Sequence, residues 1–391
     1  MPILLFEPFE SNTTEGVSLM NVLSLFRNLV LTRHDIAKSW KAKGKYVIGW
    51  SCTYTPEELI YAANALPVMV FGDLESTKLA DIYLPINTCS FARSCFNSSL
   101  KGDNDYLDGF VASSSCDNRN KIFDMWRYHI KIPYMHFINT PHTRTERAHN
   151  FFYEEILRFK TSLEKAFGKT ISDGALKNAI QVYNENRLLL KKVYDLRMND
   201  PPLISGVEAL EIVLSSMVTS KEEHNQLLNH LLTEVSNRAE MPKGGVRLLV
   251  SGSVMDNSEL LKIVEAVGGS VVADDWCTGS RYFWDLVDSD GDPLHTIAER
   301  YLNKIPSSFM LEGEERFGHT TEMAKRFDVE AAIIFVLKFC DTHMFDAPQL
   351  MEELKALGLP VLYLEWEHSL SGLAQLKTRI EAFIEMVGGV E

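Results

Sequence analysis

The sequence has few cysteines and no long apolar run, and each absence excludes a class of protein. Six cysteines in 391 residues are too few for a disulfide-stabilised secreted scaffold. No run approaches the roughly 18 apolar residues of a membrane-spanning helix. The N-terminus has no basic segment followed by an apolar stretch, so a signal peptide is not expected. These absences predict a soluble cytoplasmic protein with reduced thiols.

Basic charge and nucleotide-binding motifs are also scarce. The formal net charge is −14, which argues against a general surface for nucleic acid or anionic membranes. The segment Gly168-Lys169-Thr170 lacks the upstream glycine of a phosphate-binding loop, because position 163 is Leu, and no G-x-G-x-x-G follows a predicted strand. We therefore expect neither a nucleic-acid nor a membrane partner, and we expect any ATP chemistry to reside on another protein.

The pattern of apolar residues predicts two α/β domains. A chain of 391 residues exceeds what one hydrophobic core usually supports, and short apolar runs flanked by helical patterns are typical of parallel strands buried on both faces. The predicted fold is α/β, with two Rossmann-like or flavodoxin-like parallel-sheet domains joined by a helical segment. The predicted parts are a helical lead-in at 1–45, a first α/β domain at 46–143, a helical connection at 144–240 and a second α/β domain at 241–391.

Individual strands can be predicted in both halves. The first half has about five candidates, at 46–50, 67–71, 81–86, 109–113 and 132–138. A break at 241–245 then precedes the strands of the second half, which are predicted at 246–251, 270–273, 331–337 and 360–365.

Three cysteines lie just beyond short apolar runs, namely Cys89, Cys116 and Cys340. Ligands of open parallel sheets bind beyond the carboxyl ends of the strands, so these thiols predict one convergent soft-metal site, with an iron–sulfur cluster favoured. Cys52 and Cys277 also follow predicted strands, whereas Cys95 does not. The alternative is that each free cysteine packs as a small buried hydrophobe. The absence of a C-x₂-C pair argues against a zinc ribbon or a ferredoxin-type cluster.

The segments around these cysteines resemble the 2-hydroxyacyl-CoA dehydratase and benzoyl-CoA reductase family. The clearest motifs are Cys89-Ser90-Phe91-Ala92-Arg93-Ser94, Ser115-Cys116-Asp117 and Lys338-Phe339-Cys340-Asp341. The segments 52–68, 275–281 and 378–385 continue the match in the family's order. One departure is Ser90, where many members carry Pro.

The resemblance implies that Cys89, Cys116 and Cys340 hold an iron–sulfur cluster, typically 4Fe-4S with a non-cysteine fourth position, in the cleft between the domains. It also implies a paralogous partner subunit, an ATP-hydrolysing iron–sulfur activator and an acyl-CoA substrate that loses water by a radical route. Three alternatives stay open. They are a benzoyl-CoA reductase subunit, a homodimeric reductase with a double-cubane cluster, and a non-catalytic electron-transfer subunit.

Other side chains are candidates for chemistry near the cluster. Glu58 is a candidate acid or base, although a glutamate in a first helical turn also favours the helix dipole. Ser94 and Arg93 are candidates for contact with the cluster or the thioester. Arg119 and Arg281 are candidates for the phosphates of coenzyme A, because guanidinium groups suit phosphate geometry. A solvated surface role is the alternative for both arginines.

Overall fold

A computed structural model describes residues 19–238 and 244–389 of the chain. The predicted lead-in therefore lies partly outside the described residues, as do the domain boundary at 240/241 and most of the predicted break at 241–245. None of the helices in the described ranges is long and apolar enough to cross a membrane.

The first half of the chain forms a sheet of four parallel strands in the order β2-β1-β3-β4. The strands are β1 (Tyr46–Trp50), β2 (Ala65–Met69), β3 (Gly109–Ser113) and β4 (Tyr134–Ile138). All residues of β2 and β3 are buried, as expected for a parallel sheet that is covered on both faces.

The predicted strand at 81–86 is wrong. The chain there forms a short 3₁₀ helix, Ala80–Ile82, followed by irregular backbone. Ile82 and Ile86 are 72% and 79% exposed, so this apolar run is not a core segment. Pro85 lacks the amide that a ladder needs, and Asp81 pairs with Arg93 at 2.9 Å. These local contacts hold the segment outside the sheet, which leaves four strands in place of about five.

The second half forms a sheet of four parallel strands in the order β6-β5-β7-β8. The strands are β5 (Val246–Gly252), β6 (Gly269–Asp275), β7 (Ala331–Leu337) and β8 (Val361–Trp366). The predicted α/β class with two parallel sheets is confirmed. In each half the first strand lies between the second and the third, so a crevice opens beyond its carboxyl end.

Helices pack against both sheets. They are α1 (Leu19–Leu31), α2 (Arg33–Ala42), α3 (Glu57–Ala62), α4 (Ser90–Leu100), α5 (Asp117–His129), α6 (Glu146–Phe167), α7 (Asp173–Asp195), α8 (Gly206–Ser216), α9 (Lys221–Glu234), α10 (Glu259–Ala266), α11 (Ser280–Phe283), α12 (Pro293–Asn303), α13 (Gly313–Arg326), α14 (Asp341–Ala356) and α15 (Leu373–Gly388). The helices α6 to α9 occupy the segment predicted to be a helical connection. Thr145 and Ser172 cap α6 and α7, because each side chain accepts a hydrogen bond from a first-turn amide.

Residues of both halves pack together in the same apolar cluster. Ile48 and Val111 of the first sheet pack in the same cluster as Phe152 of α6 and Ile297 of α12, a helix that follows the second sheet's first two strands. All four side chains are fully buried. A helix of the second half thus completes the core of the first half, and this contact fixes the loops of the two halves against one another.

Gly252, at the end of β5, occupies a position that only glycine tolerates. Its φ is +125°, and a Cβ there would lie 2.0 Å from the Phe335 carbonyl oxygen. The following residue, Ser253, accepts a hydrogen bond from the Leu337 amide at 3.0 Å through its Oγ. The tight approach of Gly252 to β7 therefore shapes the backbone that leads into Cys340.

The substitution Gly252→Ala is expected to destabilise the fold by about 2 kcal/mol or more, because backbone strain alone costs about 1–3 kcal/mol at such a position. The control is Gly318→Ala in α13, where a Cβ meets nothing within 4 Å. That change is expected to add about 0.5–1 kcal/mol of stability through helix propensity. Urea unfolding midpoints measure both effects, and equal midpoints for the two variants would contradict the expectation.

Candidate functional site

Each of the three predicted ligand cysteines lies at the start of a helix. Cys89 precedes α4, Cys116 precedes α5 and Cys340 precedes α14. Their carbonyl oxygens accept the first helical bonds, from Arg93, Asn120 and Met344 respectively, at 2.9–3.2 Å. Cys116 and Cys340 follow the strands β3 and β7, as predicted, whereas Cys89 follows the irregular loop that replaces the predicted strand.

The three thiols converge in the fold. A side-chain hydrogen bond from Cys340 lowers the pKa of Cys89 against the opposing effect of burial, and the same interaction raises the pKa of Cys340. Burial raises the pKa of Cys116 to about 11, and Cys116 interacts electrostatically with both other thiols. Residues that are remote along the chain therefore share one site.

The first turn of each helix acts on the cysteine that precedes it. The backbone N–H groups of Ala92, Arg119 and His343 hydrogen-bond to the thiols of Cys89, Cys116 and Cys340 respectively, always at an offset of three residues. These bonds favour the thiolate, but burial still raises the pKa of Cys116, and the Cys89 hydrogen bond together with burial still raises that of Cys340. The positive end of a helix favours a thiolate. A cluster ligand must be deprotonated, and at each of the three positions the helix N-terminus acts in that direction; their role as ligands stays a prediction.

Arg119 lies among the thiols and stacks over the Phe91 ring at 5.3 Å. Burial lowers the pKa of Arg119, but the electrostatic effect of neighbouring thiols outweighs it and raises the pKa. The four thiols concerned are those of Cys52, Cys116, Cys95 and Cys277. This guanidinium can offset the negative charge of thiolates. Its predicted contact with coenzyme A phosphates stays a prediction.

Sequence reasoning missed Lys304, a buried amine near the thiols of Cys52 and Cys277. Its Nζ donates to the carbonyl oxygen and to Oγ1 of Thr53, at 2.9 and 2.8 Å. Burial and the nearby Arg300 lower its pKa to about 7, while Cys52 and Cys277 oppose the shift. No local pattern distinguishes this lysine, because only the packing of α12 against the loop after β1 buries it.

Glu58 is fully buried and both of its oxygens have partners. Arg187 Nη2 donates to one oxygen at 2.5 Å, and Tyr301 Oη donates to the other at 2.7 Å. Burial raises the pKa of Glu58, but Arg187, Arg300 and the Tyr301 hydrogen bond outweigh it, so the pKa is lowered. The structure thus holds Glu58 as a charged carboxylate, and its predicted acid–base role stays a prediction.

Its neighbour Glu57 is the carboxyl whose environment favours a proton. Burial raises the pKa of Glu57 against the opposing effects of Lys221 and Tyr282. Tyr282 Oη donates to Oε1 of Glu57 at 2.7 Å, and Lys221 Nζ lies 3.6 Å from Oε2. Sequence reasoning missed Glu57, although its position next to Glu58 was a usable signal.

The remaining predicted contacts all have partners within the chain. Ser94 Oγ donates to the Asp73 carbonyl oxygen at 2.5 Å and accepts from the Asp73 amide at 2.9 Å, which fixes the loop after β2. Arg93 pairs with Asp81, as described above. Arg281 is 2% exposed and its Nε lies 3.0 Å from Asp275 Oδ1. Their roles toward a cluster or a thioester stay predictions.

The donor set has the thiol chemistry that an iron–sulfur cluster requires. All six cysteines are free thiols, and iron–sulfur clusters are held by cysteine thiolates. Within residues 19–238 and 244–389, no three His, Cys, Asp or Glu side chains are grouped closely enough to hold a single metal ion. A cluster distributes its thiolates over separate irons and so needs no such single-ion arrangement.

Comparison with known proteins agrees with the motif resemblance. Residues 52–387 match the family model described as 2-hydroxyglutaryl-CoA dehydratase, D-component. The (R)-phenyllactyl-CoA dehydratase beta subunit of Clostridium sporogenes is 28% identical over 351 residues, which cover 90% of this chain and 94% of the relative. The lactoyl-CoA dehydratase beta subunit of Anaerotignum propionicum is 27% identical, with 94% and 98% covered. One benzoyl-CoA reductase subunit of Thauera aromatica is 24% identical, with 90% and 94% covered.

Removing one partner of the buried pair formed by Glu58 and Arg187 is expected to destabilise the fold strongly. Arg187→Met leaves Glu58 buried without its cation, which typically costs about 3–5 kcal/mol. The control is Lys262→Met, since Lys262 pairs with Glu259 at the surface and such pairs contribute about 0–1 kcal/mol. Urea unfolding measures both, and a loss below about 1 kcal/mol for Arg187→Met would contradict the expectation.

Lys304 is expected to make the stability of the chain depend on pH above neutrality. Its pKa is 10.5 when unfolded and about 7 when folded, so the unfolded state binds more protons between these values. Stability of the wild-type chain relative to Lys304→Met should therefore rise with pH from 7 to 10, by at most about 1.4 kcal/mol per pH unit. Unfolding at pH 7, 8 and 9 measures the difference, and parallel profiles would contradict the assignment.

Proposed function

Because the chain belongs to the 2-hydroxyglutaryl-CoA dehydratase D-component family, which is a family of enzymes, we propose that it is the iron–sulfur subunit of a 2-hydroxyacyl-CoA dehydratase-like enzyme. The observation that carries this proposal is that Cys89, Cys116 and Cys340 each precede a helix and lie close enough to influence one another's pKa. The dehydratase names of two relatives that align over nearly the whole chain support the reaction class.

The chain's own residues have distinct roles in this proposal. Cys89, Cys116 and Cys340 would hold a 4Fe-4S cluster, which when bound supplies electron transfer and Lewis acidity toward a thioester carbonyl. Arg119 offsets the negative charge of the thiolates. Burial raises the pKa of Glu57, which accepts a hydrogen bond from Tyr282, and Glu58 accepts hydrogen bonds from Arg187 and Tyr301.

The proposal includes other proteins, because the chain supplies only part of the chemistry. Relatives are named as beta subunits, which supports a paralogous partner subunit. A radical elimination of water needs a low-potential electron, and we propose an ATP-hydrolysing iron–sulfur activator as its source. The absence of a phosphate-binding loop in the sequence is consistent with ATP hydrolysis on that separate protein.

A benzoyl-CoA reductase subunit is the second candidate, since the related subunit of the Thauera aromatica enzyme aligns over 90% of this chain. A homodimeric double-cubane reductase and a non-catalytic electron-transfer subunit complete the alternatives. A catalytic cluster has an iron that substrate can reach, so its spectrum should change with a 2-hydroxyacyl-CoA. A non-catalytic electron-transfer cluster should not respond to any acyl-CoA.

Anaerobic purification followed by iron and sulfide quantitation tests the assignment of the ligands. Ser in place of Cys89, Cys116 or Cys340 is expected to remove most of the bound iron and the visible absorbance, because a thiolate ligand is lost. The matched control is Cys95→Ser, since the Cys95 thiol donates to the Val70 carbonyl oxygen at 3.6 Å and is not one of the three. That variant should keep the iron content of the wild-type chain.

Full iron content in all three ligand variants would overturn the cluster assignment.

To separate the enzyme classes, the purified chain is combined with its partner subunit, the activator and ATP. Release of water from a 2-hydroxyacyl-CoA supports the dehydratase, whereas reduction of an aromatic acyl-CoA without dehydration supports the reductase.

A further inference from the structure

One side chain connects the backbone segments that carry Cys89, Cys116 and Cys340. Asn118 lies in the first turn of α5, two residues after Cys116, and is 7% exposed. Its Oδ1 accepts a hydrogen bond from the Cys89 amide at 3.2 Å. Its Nδ2 donates to the Phe339 carbonyl oxygen, at the peptide that leads into Cys340, at 3.1 Å. A single amide group therefore contacts the backbone beside the other two cysteines.

The chemistry of this bridge requires a carboxamide. A backbone N–H needs an acceptor and a backbone carbonyl needs a donor, and the two ends of an asparagine side chain supply one of each. The Cys89 amide is at the N-terminus of α4, where backbone donors have no partner within the helix. An aspartate would keep the acceptor and lose the donor, whereas a leucine of similar size would lose both.

The backbone at Phe339 also depends on external support. Its φ is +65°, in the left-handed region that residues other than glycine rarely adopt. Such conformations persist where surrounding contacts hold them. The Asn118 bond to the Phe339 carbonyl oxygen fixes the orientation of the peptide before Cys340, and the Cys340 amide donates to the Leu337 carbonyl oxygen at 3.0 Å.

We propose that Asn118 is a positioning residue that sets the mutual placement of Cys89, Cys116 and Cys340, and through them the geometry of the cluster. The inference rests on the proposed function for the cluster itself. The Asn118 side chain also joins the two halves of the chain, because Asn118 and Cys89 belong to the first half and Phe339 to the second. Groups that orient metal ligands in this way typically change metal affinity by about 10- to 100-fold when they are removed.

The matched control is Asn97, another buried asparagine of the first half. Asn97 lies in α4, and its Oδ1 accepts from the Leu79 and Ala80 amides at 3.0 and 3.3 Å. These side-chain bonds go to neither Cys89 nor Phe339. Asn97→Leu should lower the unfolding midpoint and leave the cluster unchanged. This variant separates a loss of stability from a loss of ligand placement.

Two readouts test the proposal with Asn118→Leu, Asn118→Asp and Asn97→Leu. In the iron-loaded chain, Asn118→Leu should bind the cluster about 10- to 100-fold more weakly and change the electron paramagnetic resonance spectrum of the reduced state. In the metal-free chain, hydrogen exchange should become faster at the Cys89 amide in Asn118→Leu. Asn118→Asp should keep that protection, because it keeps the acceptor, and should still alter the spectrum through the lost donor at Phe339.

An unchanged affinity and spectrum in both Asn118 variants would overturn the proposal. If Asn118→Leu does not fold, Asn118→Asp alone decides, since it removes only one of the two bonds. If the wild-type chain binds no iron, the proposed function fails, and the exchange rate of the Cys89 amide then decides whether Asn118 holds that segment. Unchanged exchange in that case overturns the positioning role as well.

Discussion

The contact of α12 with the first half of the chain is the interaction on which the candidate site depends. Ile297 of this helix packs into the core beneath β1 and β3, while Tyr301 donates to Glu58 and Lys304 donates to Thr53. The buried charges are costly to remove from water and are compensated only in close, hydrogen-bonded pairs. The apolar packing and the polar pairs therefore require the same placement of the two halves.

Two electrostatic environments lie side by side in this arrangement. Around the thiols, the positive ends of three helices and the Arg119 guanidinium favour negative charge. Around α3, adjacent carboxyl groups have been separated in pKa: burial raises that of Glu57, while Arg187 and other partners overcome burial and lower that of Glu58. Opposite shifts in neighbouring titratable groups are typical of sites that move protons.

Sequence patterns predicted the parts of the fold that depend on local order and composition. Apolar runs identified both sheets, and the cysteine motifs identified the family, because both features are contiguous in the chain. The same reasoning placed a strand at 81–86, since a run of apolar letters does not record which residues face solvent. The positions of Lys304 and Asn118 near the candidate site could not be predicted from the sequence. Their importance comes from partners that are remote in sequence, as with the bond from Asn118 to Phe339.

The origin of the thiols in different halves has a thermodynamic consequence. Cys89 and Cys116 precede helices of the first half, and Cys340 follows a strand of the second. Any ligand that binds all three must favour the closed state of the chain over states in which the halves have separated. By reciprocity, whatever draws the halves apart weakens that ligand's affinity by the same factor. Binding and interdomain closure are therefore two measurements of one coupled equilibrium.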